Sequence, residues 1–209
     1  IPPDTLLSSG DFTAFSILES RTGAGSTLVS PDIAMCPECE AELYTKTDRR
    51  YRYPFINCTN CGPRYTIIDA LPYDRSRTVM NEFEMCADCR QEYHDIDDRR
   101  YHAQPDCCPD CGPQVFYIGQ DEPAAKENDA LRASQELLSQ GRILAVKGIG
   151  GIHLACNALD VSAVNRLRIR KCRAEKPLAV MCRSLDAVRK ICRVSAREEK
   201  LLTSPARPI

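Results

Sequence analysis

The chain has 209 residues, 13 of them cysteine and none tryptophan, and its 28 Lys and Arg stand against 29 Asp and Glu. That length suits one or two compact domains, and 43% apolar with 27% charged residues excludes a disordered tail, a collagen-like repeat or a low-complexity segment. No run of about 18 apolar residues occurs, so no membrane-spanning helix is expected.

The first residues, Ile1, Pro2, Pro3 and Asp4, have neither a basic stretch nor an apolar core behind it, so no signal peptide is expected. The missing initiator Met predicts a fragment or a processed chain. The near-neutral charge conceals a division. Residues 1–141 hold 13 basic and 24 acidic groups, whereas residues 142–209 hold 15 basic and 5 acidic, for net charges of −11 and +10. A split this large predicts two units with different partners.

In chain order, the first organised feature is a set of four Cys-x-x-Cys pairs: Cys36 with Cys39, Cys58 with Cys61, Cys86 with Cys89, and Cys108 with Cys111. Eighteen residues separate Cys39 from Cys58, and eighteen separate Cys89 from Cys108. A two-residue gap lets both sulfurs of a pair reach one ion, and four thiolates close a tetrahedral zinc site with no open position. Disulfides would imply secretion; with no targeting segment visible, reduced thiols in the cytoplasm suit two structural Zn2+ ions better.

The pairs belong to an internal repeat with a period of 50 residues. Met35-Cys36 returns as Met85-Cys86, Asp48-Arg49-Arg50-Tyr51 as Asp98-Arg99-Arg100-Tyr101, and Cys61-Gly62-Pro63 as Cys111-Gly112-Pro113. This predicts two copies of one supersecondary unit, with Gly62 and Gly112 at positive φ aiming backbone amides at sulfur. Equal spacing favours each repeat closing its own site, although pairs shared between repeats would also satisfy the pattern. Cys107 stands where the first copy has Asn57, which makes Cys108 the better ligand. Cys156, Cys172, Cys182 and Cys192 read as small core residues. His94 and His102 lie inside the second loop, but the cysteine sets are complete without them.

Small zinc modules bind nucleic acid, bind protein or brace an enzyme. This one is acidic, with Glu92, Asp95, Asp97 and Asp98 clustered, whereas a phosphate-binding surface needs excess Lys and Arg. The Asp-Arg-Arg-Tyr repeats are therefore read as ordered loops clasped by their own ion pairs, in a structural or protein-docking role.

Residues 115–128 read as a linker. A helix is expected around Ala130, Leu131, Ser134, Leu137 and Leu138, stopped by Gly141. Residues 143–146 then read as a buried strand, residues around Val161, Val164 and Leu167 as a helix, and residues 177–181 as a second strand. Ser184 is expected to cap a helix, and Ser195 with Glu198 to open another as a capping box. Strand, crossover helix and strand describe an α/β unit.

Two features of this unit could carry chemistry. The turn Gly148-Ile149-Gly150-Gly151 could bring backbone amides to a phosphate, or be a tight structural turn; it fits neither the P-loop nor the dinucleotide fingerprint. Lys171, Arg173 and Lys176 precede the expected second strand. They could meet the negative charge of a phosphate or form a solvated basic face.

Taken together, the two C-x2-C-x18-C-x2-C units ending in Cys-Gly-Pro, the stretch from Lys147 to Leu154, and Lys171-x-Arg173-x-x-Lys176-Pro177-Leu178 closely resemble the HypF family, carbamoyltransferases of nickel–iron hydrogenase maturation. The resemblance runs from about Pro31 to Ile209. It implies an α/β YrdC-like domain, partial, preceded by two small four-cysteine zinc-finger modules. Residues 1–30 would be a connection after a missing acylphosphatase-like domain, with residues 12–20 as a strand. Residues 31–64 and 81–114 would be the fingers, 115–128 the linker, and 129–209 the N-terminal part of the YrdC-like domain, with the C-terminal ATPase-like part absent.

The family's chemistry, as the resemblance implies it, converts carbamoyl phosphate and ATP, the latter with Mg2+, to carbamoyl adenylate with release of diphosphate. The carbamoyl group then passes to the C-terminal cysteine of HypE for cyanide-ligand synthesis. The family's K-x-R motif falls on Lys171 and Arg173, with Lys176 alongside and Lys147 and Arg207 as further nucleotide- or carbamoyl-binding cations. No side-chain nucleophile is implied, and the fragment is expected to be inactive alone. Two other readings remain: a YrdC-type threonylcarbamoyl-adenylate synthase acting in tRNA modification, and a zinc-ribbon module binding protein, tRNA or double-stranded RNA.

Overall fold

The structure, a computed structural model, describes residues 28–119 and 125–206. The expected strand at 12–20, most of the expected connection at 1–30, and Arg207 lie outside the described residues.

The two repeats fold alike. Helix α1 (Pro37–Tyr44) and helix α2 (Ala87–His94) each start directly after the first cysteine of a pair, so Cys36 and Cys86 are N-cap residues and Cys39 and Cys89 lie in the first turn. Pro37 at the start of α1 needs no N–H partner there, and Glu38, Glu40 and Asp88 in the first turns suit the positive end of the helix dipole. Each helix runs into a chain of turns that folds back on it. Arg52 and His102, at equivalent positions, take positive φ values of 59° and 50°, and their N–H groups bond to the carbonyls of Leu43 and Tyr93. The returning chain brings the second cysteine pair under the helix.

Between the repeats lie three 3-10 turns, Tyr65–Ile67, Arg75–Arg77 and Val79–Glu82. The Thr78 hydroxyl accepts from the Met80 N–H at the start of the third. Cys39, Tyr53, Ile56, Cys58, Cys61, Ile67, Met80 and Cys107 form one buried core that draws on both repeats and on the turns between them. The paired fingers therefore share one interior.

The segment expected as a linker holds an antiparallel ribbon of β1 (Phe116–Tyr117) and β2 (Ala125–Lys126). Helix α3 (Glu127–Ser139) packs against both strands and against β3 (Leu144–Gly148). The helix stops as expected: Gly141 takes φ +72°, and a Cβ there would come within 2.3 Å of the Asp160 carboxylate. Strand β3 pairs antiparallel with β4 (Gly151–Ala155), Gly148 opposite Gly151, so Ile149 and Gly150 form a two-residue hairpin turn. Helix α4 (Val161–Lys171) follows, with the Asp160 carboxylate accepting from the Ala163 N–H and Cys172 closing it in the left-handed conformation. Helix α5 (Leu185–Arg189) is capped by Ser184, and α6 (Ala196–Leu202) carries the full Ser195–Glu198 capping box.

Several sequence expectations need correction. Cys156 and Cys182 are half-buried and Cys172 and Cys192 exposed, so none is a core residue, and the strand expected to be buried is largely exposed. Residues 177–181 form no strand, because Pro177 lacks an N–H and no strand edge among the described residues accepts the segment; Met181 is 93% exposed. The described sheet is therefore a hairpin rather than a strand–helix–strand crossover. Of the two readings of the Gly-rich turn, the tight structural turn is the one observed: it joins β3 to β4 and does not open a helix. Only Gly62 of the two repeat glycines has positive φ, at +100°, and its N–H bonds to the Ile33 carbonyl rather than to sulfur. Gly112 is required for space instead: a Cβ there would lie 2.3 Å from the Tyr53 hydroxyl and 2.6 Å from Cys107 Cβ.

Candidate functional site

The structure groups the eight paired cysteines by repeat. Cys36, Cys39, Cys58 and Cys61 converge in the first, and Cys86, Cys89, Cys108 and Cys111 in the second. Neighbouring sulfurs are 3.5–3.7 Å apart in the first cluster and 3.6–3.8 Å in the second. A tetrahedron with metal–sulfur bonds of about 2.3 Å has edges of about 3.8 Å, so both clusters fit Zn2+. The donor chemistry agrees. Burial pushes the Cys36 thiol up to about 11, and it pushes Cys89 up as well; sulfurs this crowded ionise together only around a cation. The alternative in which pairs are shared between repeats is not what the chain adopts.

Cys107 lies outside both clusters. It is buried against Tyr53, whose hydroxyl is 3.5 Å from its sulfur, and burial pushes its thiol up to about 11. A third group of ligand-type atoms, on Cys89, Glu92 and Asp106, already surrounds a cation, the Arg50 guanidinium, whose Nη2 reaches all three side chains.

The Asp-Arg-Arg-Tyr loops are ordered, but their ion pairs run between repeats. Asp48 and Asp98 accept from the N–H groups of Arg50 and Arg100 at 2.7 Å and set each loop. From the first loop, Arg49 donates to the sulfurs of Cys86 and Cys89, both at 3.2 Å, and to Glu92 at 3.0 Å. From the second, Arg99 donates through both terminal nitrogens to the sulfur of Cys39 at 3.3 Å and through Nε to Glu42 at 3.1 Å. Arg50 pairs with Glu92, and Arg100 with Glu42. The sequence shows these arginines and their repetition, but identical repeats cannot say whether a loop serves its own finger or the other.

In the α/β unit, Lys147 is exposed on the hairpin opposite Ile152. Lys171 ends α4, and Arg173 and Lys176 stand exposed on the following loop. None of these four cations forms an ion pair among the described residues. Arg168, not singled out from the sequence, shapes that loop: its Nη1 donates to the carbonyls of Arg173, Ala174 and Lys176 at 2.9–3.1 Å. All three cations are exposed at the end of α4 and on this loop. No helix among the described residues is long and apolar enough to cross a membrane.

The fold and its sites define a class: a pair of interlocked four-cysteine fingers leading into a unit of helices and a β-hairpin. Family models match accordingly, with a "HypF finger" at residues 35–68 and again at 85–118, and a "Telomere recombination" model of the Sua5, YciO and YrdC group at 136–209. Carbamoyltransferase HypF of Synechocystis is 55% identical over 199 residues, which is 95% of this chain and 26% of the relative. A probable carbamoyltransferase HypF of Methanocaldococcus jannaschii is 50% identical over 201 residues, again 95% of this chain and 26% of the relative. A crystal structure of full-length HypF in a phosphate- and nucleotide-bound form superimposes with TM-score 0.87 at 49% identity, covering 97% of this chain and 26% of that one. The structure of T. kodakarensis HypF matches with TM-score 0.82 at 49% identity, over 88% of this chain and 24% of its own. The chain belongs to the HypF family, and it spans about a quarter of the length of the relatives it matches.

Proposed function

We propose that this chain supplies the zinc-braced scaffold and part of the phosphate-handling unit of a carbamoyltransferase. In the whole protein, carbamoyl phosphate, ATP and water would give carbamoyl adenylate, phosphate and diphosphate. The carbamoyl group would then pass to the C-terminal cysteine of HypE, with AMP released. Two Zn2+ ions would be held by the two cysteine clusters in a purely structural role, since four thiolates leave no open position for substrate. Lys171, Arg173 and Lys176, with Lys147 and Arg207, would face the phosphates of Mg-ATP and the carbamoyl group.

The observation that carries this reading is the group of exposed cations at the end of α4 and on the loop that follows. Three cations within six residues have no acidic partner among the described residues, and Arg168 holds the loop in that shape. Unpaired cations brought to a phosphate can stabilise charge developing at phosphorus without a nucleophilic side chain. The same stretch in a 49%-identical relative belongs to a chain solved with phosphate and nucleotide. Replacing Lys171 and Arg173 together in the full-length protein should abolish carbamoyl phosphate-dependent diphosphate release. Retained release in that variant would overturn the assignment.

A second reading is favoured by the match of residues 136–209 to the Sua5, YciO and YrdC group. In it the unit makes threonylcarbamoyl adenylate for tRNA modification, and diphosphate release would require threonine and bicarbonate instead.

A further inference from the structure

The two fingers are identical in plan, yet no arginine of either Asp-Arg-Arg-Tyr loop bonds to a sulfur of its own repeat among the described residues. Every arginine–sulfur contact is crossed. Arg49 lies on Cys86 and Cys89, Arg50 lies 3.5 Å from Cys89, and Arg99 lies on Cys39. Glu92 and Glu42, one turn beyond those cysteines on α2 and α1, hold the incoming guanidiniums as forks. A further tether fixes the second loop on the first finger, where the Thr59 N–H and hydroxyl both donate to the Arg99 carbonyl. The equivalent residue in the other repeat is Pro109, which has no N–H to donate.

Four thiolates around a dication carry a net charge of about −2. In a buried setting that charge is costly unless hydrogen-bond donors and cations surround it, and outer contacts of this kind set ligand orientation and metal retention. Here the guanidinium contacts of each cluster come from the other repeat, whereas the Asn60 N–H donates to the Cys58 sulfur at 3.3 Å from within the first.

We propose that the two metal sites are reciprocally locked: Arg49 is the positioning residue that retains the ion of Cys86, Cys89, Cys108 and Cys111, and Arg99 the one that retains the ion of Cys36, Cys39, Cys58 and Cys61. This deepens the zinc reading above and rests on it. The lock is unequal, because Arg49 reaches two sulfurs and Arg99 only one. The second site depends more on the first repeat than the first site does on the second. Neither finger then holds its metal fully without its sibling.

The test uses the zinc-loaded full chain, with release to a chelating dye followed in time and cysteine accessibility read by alkylation and peptide mass spectrometry. The unsubstituted protein should hold two ions. Fewer would defeat the zinc reading itself, and the lock with it, before any variant is compared. With two ions bound, Arg49→Ala should speed release of one ion about tenfold or more, exposing Cys86 and Cys89 while Cys36 and Cys39 stay protected. Arg99→Ala should expose Cys36 and Cys39 instead, with a smaller change in rate. Arg49→Lys keeps the charge but not the planar fork, and should fall between Arg49→Ala and the parent. Loosening of the substituted repeat's own site, no change in either site, or equal exposure of both sites in the alanine and lysine variants would each overturn the lock.

Discussion

Arg50 Nη2 donates to the Asp106 carboxylate at 3.0 Å, across the boundary between repeats, with Arg50 only 2% and Asp106 0% exposed. Arg100 Nε approaches the same carboxylate oxygen at 3.6 Å. The equivalent of Asp106 in the first repeat is Ile56, a buried apolar residue. One acid thus lies between two nearly buried arginines at the centre of the paired fingers. Burial pushes its carboxyl up to about 6 against the pull of both guanidiniums.

Asp106→Asn keeps the shape and removes the charge. Losing a partner leaves buried donors on the arginines unsatisfied, but burial disfavours the charge that is removed, so denaturant unfolding of the zinc-loaded protein should show a loss of about 1–3 kcal/mol. A change under about 0.5 kcal/mol, typical of a surface site, would show that Glu92 and Glu42 alone balance the arginines.

The adjacent cysteines 107 and 108 should separate cleanly by metal content. Cys107→Ala should retain about two zinc ions per chain, and Cys108→Ala should lose one. Metal analysis of the purified variants reads this directly. Loss of an ion in Cys107→Ala would place the ligand one residue earlier.

Gly112→Ala forces a methyl group against the Tyr53 hydroxyl and Cys107, and should cost about 1–3 kcal/mol through overpacking. Gly150→Ala meets nothing within 4 Å and should leave the thermal midpoint nearly unchanged. Equal effects would contradict the packing described for the second finger.

Asp32 accepts from the N–H groups of Arg64 at 2.7 Å and Thr66 at 3.1 Å, tying the entry of the first finger to its exit. Burial acts to raise its carboxyl, but these bonds outweigh burial and hold it below the ordinary value of 3.8. A depressed carboxyl contributes stability that is complete above the unfolded value and lost only as pH falls through the folded one. Asp32→Asn keeps the acceptor oxygen and loses the charge, so after solvent screening it should cost about 0.5–1 kcal/mol, and the difference should be flat from pH 6 to pH 8. A difference that shrinks across that window would contradict it.

What could be read from residue order alone was whatever depends on short spacing. The cysteine sets, the stops at Gly141 and the caps at Ser184 and Ser195 are local and appear where expected. Residues 177–181 have the composition of a strand, but a strand needs an edge to pair with, and composition cannot supply one. Gly112 looks like Gly62 in the repeat, yet its reason is contact with Tyr53, 59 residues earlier in the chain. The crossing of Arg49 and Arg99 is hidden for a related reason: a motif that recurs unchanged in both fingers is equally compatible with contacts to its own finger and to the other. Arg168 carried no motif at all, since its work is to bind carbonyls.

The most direct test of the account is diphosphate release from ATP by the zinc-loaded full-length protein, measured with carbamoyl phosphate in one reaction and with threonine and bicarbonate in another. Release that requires carbamoyl phosphate is the result predicted. Release that requires threonine and bicarbonate, or none with either, would contradict it.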